Sequence, residues 1–334
     1  MRERLENKCE LLANNYVLIN KKYKWNSSIN NRLGALLYVM DNRGADLDAI
    51  DRCRKIIKEN TGVFSQFKDI TNFMSAVMLA LQPDPEVMFK STLNVYDAMK
   101  REGFHSSPYL VLAAISIALQ TDPYDYQKIT RSAKAFYDAM KQEHRFLTSS
   151  DDYGFASLLA MTHRPVDQVI KESENCYRIL KGDFFSSNAV QALSHILAFS
   201  DEDAYTKCKR VSDLNKELKL RKCKIGQGIE LSFLGICALL KEDVYKLADE
   251  IAQASEYLKD KKGFGGWTVT GAERTMYAAA VVCDDYLTDT KHSAMEMALS
   301  SNAVGIILAE QMAVMVASSS AASAAAAASS SSNT

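Results

Sequence analysis

An all-α fold, two layers deep and built from about six or seven tandem helical hairpins, follows from three observations on this 334-residue chain. A lysine closing one segment, an aromatic residue or Ile a few positions on, and a small-residue helix start recur about every 40 residues. The copies run Lys58–Phe64, Lys100–Phe104, Lys141–Phe146, Lys181–Phe185, Lys219–Ile225 and Lys259–Phe264, with a weaker one at Lys21–Trp25. Two kinds of segment alternate between these marks, one amphipathic and one apolar nearly all round. Helix-capping residues separate them. The spacing predicts hairpins near 1–42, 43–82, 84–120, 122–162, 164–199, 200–240 and 241–287, then a closing helix over 290–317 and an Ala/Ser-rich tail over 318–334. Residues 1–317 form a single domain in this reading.

The first segment of each pair begins on a helix start signal. Asp84-Pro85 and Asp122-Pro123 place a capping carboxylate before a proline whose missing N–H costs nothing at the first helical position. Arg164-Pro165 keeps the proline, and Ser200 precedes an acidic first turn at Asp201, Glu202 and Asp203. Lys100, Lys141 and Lys259 stand at the other ends, where cations offset the negative end of the helix dipole. Each such helix spans roughly 27 Å over about 18 residues. Apolar residues recur on one face, as at Met88, Leu93, Tyr96 and Met99, and charge covers the rest. These are outer helices.

The second segments start at Ser107-Pro108, Ser150-Asp151, Ser187-Asn188 and near Gly228. Runs such as YLVLAAISIAL, AVQALSHILAF and MYAAAVVC are covered on every side, and their Ala, Gly and Ser let neighbouring helices approach closely. They form the inner layer. The atypical, Ala-rich last segment suits the terminal cap of an open array, so an open superhelix is favoured over a closed α/α toroid.

Taken together, HSSPYL (105–110), FLTSSDDY (146–153), FFSSNA (184–189), KGFGGW (262–267) and the Ala/Ser tail resemble the bacterial domain-of-unknown-function 4003 family. The resemblance covers essentially the full chain. It implies a bacterial, cytoplasmic setting and brings no activity, substrate or catalytic residue with it.

Composition excludes several classes. Apolar residues make up 47% and charged residues 24%, with a formal charge of −1. That total predicts no field to steer nucleic acid or an anionic membrane. Seven cysteines lack any Cys-x-x-Cys pair, which argues against a disulfide framework and a zinc site. The N-terminus lacks a signal-peptide apolar core, so a reducing cytoplasm is expected. Met297 to Ala317 is long and apolar enough to span a bilayer. Ser300, Ser301, Asn302, Glu310 and Gln311 are costly in lipid and favour a buried closing helix there.

Candidate sites gather where outer helices turn into inner ones. His105, Ser106, Tyr109, Ser149, Asp151, Asp152, Tyr153, Ser186 and Asn188 fall on one rim, where free N–H groups could hold an anion or an acidic peptide. Capping alone accounts for Ser107, Ser150 and Ser187. Asp151 and Asp152 have the chemistry of a general base or of oxygen ligands, but adjacent carboxylates in a first helical turn are more often its ordinary electrostatic complement. His195 sits four residues after Gln191, its expected hydrogen-bond partner in a buried core. With a serine and one aspartate it could instead sketch a nucleophile–base set. Gly263 to Trp267 lacks a phosphate-loop pattern, and Gly263 fits a helix C-terminus with Phe264 and Trp267 packed on the next hairpin. The basic run Lys207 to Lys224 has no interleaved aromatics and reads as a solvated outer face. No cofactor and no metal are expected. The favoured function is a non-enzymatic scaffold for a protein or peptide, without nucleic acid or membrane as partner. Competing readings are an α/α-toroid enzyme with a rim pocket, and a protein anchored through residues 297–317.

Overall fold

The computed structural model describes residues 1–62, 65–228 and 230–287. Phe64, the predicted closing helix 290–317, its apolar run 297–317 and the tail lie outside the described residues. Among the described residues there are fourteen α-helices and no strand. In order they are α1 Glu3–Lys22, α2 Ser28–Met40, α3 Leu47–Asn60, α4 Asp69–Ala80, α5 Pro85–Arg101, α6 Pro108–Gln120 and α7 Tyr126–Glu143. There follow α8 Tyr153–Ala160, α9 Val166–Leu180, α10 Ser187–Leu197, α11 Ala204–Leu220, α12 Glu230–Leu239, α13 Val244–Lys259 and α14 Gly271–Leu287.

Odd and even helices differ in what they bury. In α9 the buried residues are Val169, Ile170, Ser173, Cys176 and Leu180, one stripe at helical spacing. In α6 every residue from Leu110 to Ala118 is buried. A helix apolar on all sides needs cover on all sides, so even helices pack between neighbours and odd helices lie outside them. Inner helices approach closely: a Cβ on Gly235 of α12 would stand 2.6 Å from Leu193 Cδ1 of α10.

The ends are set by side-chain caps. Ser27, Asp46, Asp84, Ser107, Asp203 and Asp243 each accept a hydrogen bond from a first-turn N–H. Two expected caps move by one residue. Ser186, not Ser187, caps α10, and Ser149, not Ser150, opens the turn leading into α8. At α11 the cap is Asp203, while Ser200 accepts from the Glu202 N–H instead. In each case several Ser or Asp residues stand in a row, and backbone dihedrals rather than residue type choose among them.

Each odd helix packs on the even helix that follows it. Each even helix also meets the next even one, from α2·α4 to α12·α14, and each odd helix the next odd one. The series does not stop at α14: α14 lies against α2, and α1 against both α13 and α14. Those contacts bring the first and last described helices together. The meeting is built from specific groups. Arg2 pairs with Glu250 at 2.8 Å and Asp285 at 2.9 Å, Arg4 also pairs with Asp285, and Lys8 pairs with Asp284. Burial pushes the Asp284 carboxyl up to about 6 despite Lys8 beside it. Arg32 of α2, 1% exposed, donates to the Gly263 carbonyl at 2.8 Å and the Thr268 carbonyl at 3.1 Å. Phe264, fully buried, sets its ring edge-on to Tyr16 of α1 and Tyr277 of α14. Burying such a ring is worth about 2–3 kcal/mol. Gly263, at φ +90°, leaves room for this packing, since a Cβ there would fall 1.8 Å from Tyr16 Cε1.

Candidate functional site

Hydrogen bonds between successive turns show which turns share an end. The Phe185 N–H donates to Gln227 Oε1 at 3.0 Å, the His105 N–H to the Tyr153 hydroxyl at 3.3 Å, and Arg32 grips residues 263 and 268. These contacts join turns that lead from an odd to an even helix. At the other end Arg43 reaches the Leu81 carbonyl, Arg164 the Ala198 carbonyl and Arg210 the Ala238 carbonyl. The molecule therefore has two rims, and the residues singled out at the odd-to-even turns lie on one of them.

On that rim the repeated aromatic positions divide. Tyr23, Phe67, Phe104, Phe184 and Phe264 are buried. Trp25, Phe146, Phe185 and Trp267 are 90%, 97%, 95% and 104% exposed. The expected packing of Trp267 is thereby corrected: Phe264 alone fills the site, and Trp267, beyond Gly265 and Gly266, stands outward. The adjacent pair Phe184-Phe185 carried the sequence signal for this division, because two consecutive rings in one short turn cannot both face the core. Arg32 was missed altogether. A lone cation at the start of an apolar helix carries no pattern.

The residues around Asp152 come together. The Ser149 N–H donates to Asp152 Oδ2 at 2.9 Å, closing the turn before α8, and the Ser149 hydroxyl donates to Asp151. Asp152 is 7% exposed, and burial, reinforced by Asp151, pushes its carboxyl up to about 8. It is a neutral acid at neutral pH and not the solvated first-turn carboxylate the pattern suggests. Tyr109 is half-buried nearby, and burial with the two aspartates pushes its hydroxyl up to about 12. Tyr153 is buried edge-on against Phe104 at 4.8 Å and Tyr137 at 5.0 Å. His105, Ser106, Ser149 and Asn188 are exposed, and Ser186 is occupied as a cap.

His195 is elsewhere. Its Nδ1 faces the Ser173 hydroxyl of α9 at 2.9 Å, so the ring points between the two layers. Gln191 is not its partner; that amide donates to the Thr148 hydroxyl at 3.0 Å. The Ser194 hydroxyl donates to its own helix at the Val190 carbonyl. Burial pushes the imidazole down to about 3, which makes it a weak base. The sketched nucleophile–base set is not assembled. Among the described residues no three His, Cys, Asp or Glu side chains group as a metal site.

Two clefts open beside the rims. One of about 710 Å³ is lined by Arg54, Lys55, Lys58 and Lys68, with Asp51 on its wall. Lys22 holds Asp51 at 2.6 Å and the Tyr23 hydroxyl donates to it at 2.8 Å, so its charge is already met. The other, about 490 Å³, lies between α5 and α7 and includes Arg101, Tyr124 and Gln127. Neither borders Asp152, His195 or Trp267. The basic run at 207–224 is largely paired: Lys207 is fully buried on Glu172 at 2.6 Å, Arg210 binds Glu202 at 2.7 Å, and Arg221 binds Glu217 at 2.6 Å. Lys222 and Lys224 remain exposed at the turn.

Helices throughout, with exposed rings and capped turns on one rim, define an all-α protein among the described residues. A family model described as "Protein of unknown function (DUF4003)" matches residues 15–313, and the chain belongs to that family. It is similar to the "Uncharacterized protein YeaA" of Bacillus subtilis (strain 168), 26% identical over 193 residues. That alignment covers 56% of this chain and 58% of the relative, less than two thirds of its length. No solved structure matches. Among the described residues no helix is long and apolar enough to cross a membrane.

Proposed function

We propose that the chain is a non-catalytic binding module: seven tandem helix pairs closed into an α/α toroid, engaging its target through the odd-to-even rim. One observation carries this reading. Trp25, Phe146, Phe185 and Trp267 are each nearly or fully exposed at comparable turns of four different pairs. Single exposed apolar residues need no explanation, but four large rings on one face mark a surface that is covered in use. The enzyme alternative draws on Asp152, a buried acid with a proton to give near pH 8. Its carboxyl is already engaged as a turn closure, and the histidine it would need faces Ser173.

The test is site-specific photocrosslinking in cells. A photoreactive phenylalanine replaces Phe146 or Phe185, and Tyr124 or Tyr245 on the opposite rim as controls. A discrete protein or lipid adduct from the first two positions alone supports the module. Adducts from neither, or equally from both rims, sink it.

A further inference from the structure

We propose that the odd-to-even rim docks on an anionic lipid bilayer surface, its rings entering the headgroup region and its cations meeting lipid phosphates. This deepens the binding-module reading and rests on it.

The net charge of −1 conceals a separation. Outer helices start on Asp84, Asp122, Asp203 and Asp243, all exposed on one rim. On the other rim Lys24, Arg145, Lys181, Lys222, Lys224 and Lys262 are exposed. Such residues normally offset helix dipoles, but here each rim carries outer-helix ends of one sign and inner-helix ends of the other. The dipoles of a pair cancel there, and the side-chain charge is left uncompensated. One rim is therefore basic and the other acidic, and the expectation of no steering field, drawn from the total, does not hold.

The four exposed rings belong to the basic rim. Lys24 Nζ lies 5.2 Å from the Trp25 ring centre, the pairing of aromatic and cation that suits a membrane interface. The cleft lined by Arg54, Lys55, Lys58 and Lys68 opens at the same end and offers a headgroup phosphate several donors. A flat partner fits better than a threaded one. The rings stand on separate turns, whereas single-stranded nucleic acid needs a groove that stacks successive bases.

Trp25 and Trp267 are the chain's two tryptophans, so intrinsic fluorescence reports this rim alone. The full chain is mixed with vesicles of phosphatidylcholine and phosphatidylglycerol in about a two-to-one ratio, or of phosphatidylcholine alone. Expected are a blue shift and co-sedimentation with the anionic vesicles only, both reversed by high salt. The Lys222→Glu/Lys224→Glu and Phe146→Ser/Phe185→Ser variants each weaken sedimentation about tenfold or more. Tyr124→Ser, on the acidic rim, leaves it unchanged, and circular dichroism verifies folding of each. Sedimentation with unchanged tryptophan emission overturns the proposal, because another part of the chain then binds. A shift caused by single-stranded RNA and not by vesicles overturns it in favour of nucleic acid. No response to either overturns it as well, while rim-specific photocrosslinks to a protein would leave the binding module standing.

Discussion

Replacing Asp152 with Asn tests whether a neutral carboxyl is built into the fold. The native carboxyl is held at about 8 against an ordinary 3.8. Between those values the folded chain keeps a proton that the unfolded chain has released. The associated stability is complete below about pH 4 and is lost as pH rises through 8, on the order of 5 kcal/mol if burial acts in full. Asn retains the carbonyl that accepts from the Ser149 N–H at 2.9 Å and cannot ionise. At pH 5 it should cost about 1 kcal/mol, the price of housing an extra amide donor. At pH 9 it should be more stable than the wild type by a few kcal/mol. Urea unfolding at pH 5, 7 and 9 measures both chains, and their difference removes the Asp284 titration near 6, which they share. Parallel profiles from pH 5 to 9 would refute the argument, since they require a carboxyl that ionises alike in both states.

The remaining expectations concern closure and the thiols. Gly263→Ala places a Cβ 1.8 Å from Tyr16 Cε1 at a φ of +90° and should cost about 2–4 kcal/mol in urea, whereas a loss under about 0.5 would contradict the packing. Arg32→Leu strands the buried Gly263 carbonyl and gives up the bond to the more exposed Thr268 carbonyl, and should cost about 1–3 kcal/mol. Arg32→Lys should restore less than half of that, because an ammonium lacks the guanidinium's fork. In thiol titration Cys223, half-buried and with its thiol raised by burial, should react slowly in the native protein but ahead of the other six cysteines, which react only after denaturation. Burial raises Cys9 to about 12 and Cys53 to about 11, and the Cys237 contact with burial raises Cys283 as well. Rapid reaction of several thiols would show the inner layer to be loosely packed.

Helix identity and layer were readable from local composition. The buried stripe of α9 and the continuous burial of α6 follow from apolar spacing alone, and Asp84 and Ser107 cap the helices their types announce. These depend on neighbours three or four residues away, which any short window contains. Caps slipped by one residue where several candidates stand in a row, as at Ser186 and Ser149, because dihedrals settle a choice that residue type leaves open.

The candidate site was readable only in part. Its rim follows from the repeat, but residue type does not show that Asp152 is buried or that Gln191 turns to Thr148 rather than to His195. Burial and pairing of those groups depend on Tyr109 and Ser173, which other helices supply, and on Thr148 of the turn before α8. Closure lay further out of reach. Arg32 meets Gly263 and Thr268 across most of the chain, and whether the ends join depends on a small rotation per helix pair that accumulates around the molecule. Local pattern fixes what each segment is. The angle between successive pairs, set by packing among distant side chains, decides which ends meet, which rings stay outside, and how a nearly neutral chain sorts its charge into two opposite rims.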